Sequence, residues 1–166
     1  MNKQVQRTVQ TLIICALMAG CSQADNLKTR DGREVQESTK KTSRDVLGLI
    51  DLKGKVTEPG PFTMPRSGYS GGVYRAHHPW SLYGVPVDDM KQAMDRLRRN
   101  LPANGWKIAK DGPDKSPAKT PEIIANSKGG EFSVKVRLLE EPAGSKHTSL
   151  IAVTVESACF KTNKPD

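Results

Sequence analysis

The chain has 166 residues, with 26 lysines and arginines against 18 acidic residues and a formal charge of +8. Hydrophobic residues make up 36% of it and aromatic residues 5%. That composition excludes a polytopic membrane protein and a collagen-like fold, and leaves little room for two independent cores.

Residues 1–10 are polar, with Lys3 and Arg7 and no acidic group. Residues 11–19 (TLIICALMA) form a short apolar run, and Gly20 and Cys21 follow at once. A basic flank, a short apolar stretch and small residues before a cleavage position make an export signal, here residues 1–20. The run falls well short of the ~20 residues that a permanent transmembrane helix needs. Residues 17–21 (LMAGC) resemble the lipobox of bacterial lipoproteins, with Met18 where leucine is commonest. That resemblance implies a diacylglyceryl group on the Cys21 thiol and cleavage just before it. It places the protein at the cell membrane, lipid-anchored on the extracytoplasmic side. Two acyl chains anchor stably, at ~0.8 kcal/mol for each buried methylene. The competing reading is an ordinary secreted chain cut near Ala19. Cys15 leaves with the signal in either case. Cys159 is then expected as a lone thiol with no internal disulfide, either buried at the end of an apolar run, the favoured reading, or paired between chains.

Residues 22–44 hold two large aliphatic side chains, Leu27 and Val35. So little apolar surface does not offset the entropy of ordering a chain. Residues 21–44 are therefore expected to be the lipidated cysteine and a flexible tether, reaching ~75 Å at full extension. A single domain is expected over residues 45–160. Ser43 is placed to cap a short helix whose apolar side carries Val46, Leu47, Leu49, Ile50 and Leu52. Residues 54–72 are rich in glycine and proline and read as irregular surface chain. Residues 73–85 are strand-like, but Pro79 predicts an edge strand or two short extended pieces.

The spacing of Met90, Ala93, Met94, Leu97 and Leu101 predicts an amphipathic helix over residues 87–101. Asp88 and Asp89 at its start and Arg96, Arg98 and Arg99 near its end complement the helix dipole. Strands are predicted over residues 106–110, 122–126, 131–139 and 150–160. Phe132, Val134, Val136 and Leu138 alternate with polar residues, as do Ile151, Val153 and Val155, giving each strand one apolar face. Residues 161–166 read as a disordered tail. The expected fold is α+β: a two-layer sandwich with an antiparallel sheet of three to five strands, covered by one main amphipathic helix. HPWSLYGVP, KQAMDRLRRNLPANGW and the closing SACF are similar to segments of uncharacterised exported lipoproteins of actinomycete type. The likeness implies an exported domain and carries over no site residues.

Chemical motifs are sparse. His77 and His78 are adjacent, and neighbouring strand residues point to opposite faces, which makes a poor chelate. No Cys or carboxylate spacing resembles a zinc site, and no cofactor motif is present. Ser67, Ser70 and Ser81 lie near the histidines, but GYSGG at residues 68–72 is not a nucleophile elbow. Tyr69, Tyr74, Trp80 and Tyr83 cluster with Arg75 and the histidines. Tyr74, Arg75, His78, Trp80 and Tyr83 are the candidate partner-binding residues. The basic excess suits anionic lipid headgroups, an anionic envelope polymer or a protein partner. Nucleic acid is not expected. The leading expectation is a lipid-anchored envelope protein that binds a ligand or partner without catalysis. The alternative is a small envelope hydrolase or wall-modifying enzyme using His77 or His78.

Overall fold

A computed structural model describes residues 26–57, 59–66 and 72–163. The export signal, Cys21, Ser67, Tyr69 and Ser70 lie outside the described residues. Helix α1 spans Gly32–Ile50 and helix α2 spans Val87–Ala103. The strands are β1 (Lys55–Val56), β2 (Phe62–Pro65), β3 (Val73–Tyr83), β4 (Trp106–Pro113), β5 (Pro121–Ser127), β6 (Phe132–Leu139), β7 (Leu150–Ser157) and β8 (Phe160–Lys161). They form one antiparallel sheet of eight strands, in the order β1-β3-β7-β6-β5-β4, with β2 and β8 also paired to β3. Both helices pack on one face of it. The α+β class stands, but the sheet is larger than three to five strands and two helices cover it.

Helix α1 corrects the expected tether. Residues 32–44 are its first turns. Asp31 caps it, its Oδ1 accepting hydrogen bonds from the backbone N–H groups of Arg33 (2.9 Å) and Glu34 (3.3 Å). The buried stripe is Val35, Thr39, Ser43, Val46 and Ile50, spaced by four, four, three and four. Counting large aliphatic residues misses it, because two members are small hydroxyl residues. Thr39 hides its polarity by donating from Oγ1 to the Val35 carbonyl at 2.7 Å. Ser43 is therefore a buried mid-helix residue and not a cap. Helix α2 secures the other end of α1. Arg96 Nη2 and Asn100 Nδ2 donate to the carbonyls of Asp51 and Leu49, both at 2.9 Å. Those carbonyls would otherwise be unsatisfied at a helix C-terminus.

Strand β3 is not an edge strand. It runs eleven residues without a break, with β7 along one side and β1 and β2 sharing the other. Ser81 exchanges hydrogen bonds with Thr57 on that second side, and the backbone N–H of Ala76 donates towards β7 residue Ser157. By alternation, the donor that Pro79 lacks falls on the second side. There β2 ends opposite His77 and β1 begins opposite Leu82. The proline costs the ladder nothing in that gap.

The last strand also reaches further than expected. Lys161 belongs to β8, and the Thr162 N–H donates to the Gly72 carbonyl at 3.0 Å. Gly72 has a φ of +64°, and a Cβ there would strike the Thr162 side chain, so only glycine fits this closure. The main core joins Val46 and Ile50 of α1 with Met90, Leu97 and Leu101 of α2 and the inward residues of β3 and β5–β7. A smaller cluster of Val35, Tyr74, Ala76 and Phe160 sits under the start of α1. Among the described residues, no helix is long and apolar enough to cross a membrane.

Two substitutions in α1 test its place in the core. Ile50→Ala is expected to cost about 2–5 kcal/mol, by lost burial and a residual cavity. Ser43→Ala is expected to change stability by less than about 1 kcal/mol, because the Ser43 Oγ makes no hydrogen bond among the described residues. Urea unfolding of the two variants beside the parent chain measures both.

Candidate functional site

The alternation of β3 divides the residues that the sequence grouped together. Tyr74, Ala76, His78, Trp80 and Leu82 point to the helices and are buried. Arg75, His77, Pro79, Ser81 and Tyr83 occupy the opposite face, where no helix packs. The five candidate binding residues therefore do not form one surface. The Tyr74 hydroxyl donates to the Arg30 carbonyl at 2.8 Å. Burial pushes its ionisation above the ordinary phenol range. Trp80 and His78 border a void of about 20 Å³ beside Ser43, too small for any ligand beyond a water molecule. Arg75 and Tyr83 alone keep a place on the uncovered face.

Cross-strand register builds the rest of that face. Glu156 of β7 stands opposite His77, and Ser133 of β6 stands opposite Glu156. Arg75 Nη1 lies 2.7 Å from Glu156 Oε2. His77 Nε2 lies 3.3 Å from Glu156 Oε1, without the alignment of a hydrogen bond. Phe62 of β2 stacks on the His77 ring, at 6.0 Å between centroids and 18° between planes. Burial is the main cause that lowers the His77 pKa, and Arg75 and Lys135 push it the same way against the pull of Glu156. His77 is therefore neutral at pH 7. Further along the face, Lys110 Nζ donates to Glu122 Oε1 at 2.6 Å. Arg137 approaches Asp114 at 3.9 Å. Asp114 Oδ1 also accepts from the Ser116 hydroxyl at 2.6 Å, the first cause that holds its carboxyl below the ordinary range. Lys135 is exposed in the middle of the face.

At the Arg75 end the face opens into a cavity of about 280 Å³, bordered by Leu27, Arg75, Asn126, Ser133, Glu156 and Cys159. It offers carboxylate, guanidinium, amide and hydroxyl groups between apolar walls, a composition suited to a small polar ligand or a peptide side chain. Cys159 is buried, as the sequence indicated. It is disulfide-bonded, which corrects the expectation of a lone thiol.

Among the described residues, the geometry of this sheet face does not assemble a nucleophile and base around His77. The order across the sheet is imidazole, carboxylate, hydroxyl, which leaves Ser133 two strand spacings from His77, roughly 9–10 Å. Nucleophile and base must lie within hydrogen-bond reach. His78 faces the core. Among the described residues, no group of His, Cys, Asp or Glu side chains is arranged to hold a metal ion.

The alternation in the sequence puts Ser133 and Glu156 on the faces of their own strands opposite the apolar one but does not join them to His77, and it passes over Phe62. Only the register between β3 and its neighbours brings them to His77, and register is not written in any one strand.

The His77 environment sets a pH dependence. Its folded pKa is lowered, so the unfolded chain takes up a proton that the folded chain resists. Stability is expected to fall as the pH drops through about 6.5, the ordinary histidine value. His77→Phe is expected to flatten that part of the profile, read as urea midpoints between about pH 7.5 and pH 5. An unchanged slope in the variant would exclude His77 as its source. No family model matches the chain, and neither does any curated protein or solved structure.

Proposed function

We propose that this is an extracytoplasmic envelope protein, held at the membrane by a diacylglyceryl group on Cys21. Its domain binds a small ligand or a protein partner on the uncovered sheet face and catalyses no reaction. The observation that carries the reading is the run at residues 11–21, where a short apolar stretch ends in Ala19, Gly20 and Cys21. The uncovered face supports the binding part. It carries four cations and three carboxylates, of which Arg75 and Glu156 border a cavity with apolar walls. The hydrolase alternative through His77 or His78 draws no support from their placement.

One observation favours a second reading. Cys159 is disulfide-bonded, and the other cysteines of the chain are Cys15 and Cys21. A sulfur held to glycerol as a thioether cannot also form a disulfide. In the second reading the chain is secreted without lipid, and Cys21 is cross-linked to Cys159.

Intact mass of the protein recovered from membranes separates the two. A chain that begins at Cys21 and carries a diacylglyceryl group is expected, with Cys21→Ala released from the membrane or left uncut. A soluble chain lighter by the hydrogens that a disulfide loses, with residues 21 and 159 in one cross-linked peptide, would replace the first reading by the second.

A further inference from the structure

We propose that the end of the domain built from β2 and residues 26–33 lies against a lipid surface, with Phe62 and Met64 as the side chains that enter it. The inference rests on the lipid anchor at Cys21 and adds the orientation of the domain.

Three observations carry it. Phe62 and Met64 are the exposed large hydrophobic residues among those described, at 44% and 40%. They sit two apart on one short strand, and their register partners Arg75 and His77 place both on the uncovered side of the sheet. A pair of such side chains at one corner is an unusual exposure for a chain with so few aromatic residues.

The second observation is where the chain enters the domain. The Lys161 N–H donates to the Lys28 carbonyl at 3.0 Å, and the Arg30 N–H donates to the Lys161 carbonyl at 3.1 Å. Residues 28–30 therefore continue the row β2, β3, β8 at this end of the sheet. Three strand spacings separate them from β2, about 14 Å. Leu27 borders the same cavity as Arg75, the register partner of Met64, which brings the entering chain to the uncovered side.

Chain length is the third. The described structure starts at residue 26, and the folded domain includes α1 from Gly32 rather than starting at residue 45, so the stretch from Cys21 to Asn26 spans at most about 18 Å. That length cannot hold the domain clear of the headgroups. The surface nearest the anchor must be the one around residues 26–33, and that surface carries the exposed apolar pair. Lys28 and Arg33 are exposed there beside Asp31 and Glu34, so charge adds little to the contact, and the apolar pair and the short reach carry the placement. A protein partner would also cover Phe62 and Met64, but the short reach to the anchor favours lipid.

The test is photo-crosslinking of the full chain, matured by its own cell. Benzoylphenylalanine replaces Phe62 in one sample, which keeps an aromatic ring at that position. It replaces Lys146 in a second sample. Lys146 is exposed on the loop between β6 and β7, at the far end of β3. Membranes are irradiated and the adducts identified by mass, with the Cys21 modification read from the same spectra. Phospholipid adducts at position 62 and their loss at position 146 are expected. An anchored protein with no lipid adduct at 62, with equal adducts at both positions, or with a protein cross-linked at 62 would overturn the orientation while the anchor stands. An unlipidated chain that still forms the lipid adduct at 62 would remove the anchor and keep the surface.

Discussion

Strand β3 is the constraint on which the rest depends. It is long enough to pair with β7 along one side while β1, β2 and β8 take up its remaining edges. Through β7 it joins the N-terminal half of the chain to the β4–β7 meander. Its strict alternation then sorts side chains between two environments. Tyr74, Ala76, His78, Trp80 and Leu82 meet the helices, and Arg75, His77, Ser81 and Tyr83 meet none. A shift of one residue in this register would bury Arg75 and expose Leu82, which burial of the apolar face forbids.

The two helices complete one face by different means. Helix α2 supplies bulk, with Met90, Leu97 and Leu101 fully buried. Helix α1 supplies a narrow stripe in which two of the five buried residues, Thr39 and Ser43, are small hydroxyl residues. The contrast has a functional consequence. Most of the large apolar side chains are spent on the covered face, with Phe62 and Met64 as exceptions, so the uncovered face is held largely by ion pairs. Pairs such as Arg75–Glu156 and Lys110–Glu122 are only partly exposed, which strengthens them relative to fully solvated pairs. The Arg75–Glu156 pair also fixes polar groups at the rim of the cavity.

The sequence made the class of fold, helix α2 and strands β6 and β7 legible, because large apolar residues repeat there at periods of 3.6 and 2. It hid the start of the domain. The stripe Val35, Thr39, Ser43 is too small and too polar to register as a core face, and the charged residues around it look like a solvated linker. Pro79 misled for a different reason: a proline breaks a ladder only where its missing donor is needed, and here it faces a gap between two short strands. The candidate site was the least legible part. The sequence placed Tyr74, Arg75, His78, Trp80 and Tyr83 in one cluster by proximity along the chain. A strand separates such neighbours and brings in Glu156 and Ser133 from strands that sequence distance gives no reason to join.

The claim most central to this account is that residues 32–44 belong to the folded domain, because both the closed core and the short distance from Cys21 follow from it. Amide hydrogen exchange of the mature protein, read peptide by peptide, tests it directly. Amides from Val35 to Ile50 are predicted to exchange as slowly as those of β3 and β7, since they open only when the common core opens. Exchange of residues 32–44 at the rate of a free peptide, beside a protected sheet, would contradict the account and restore a long tether.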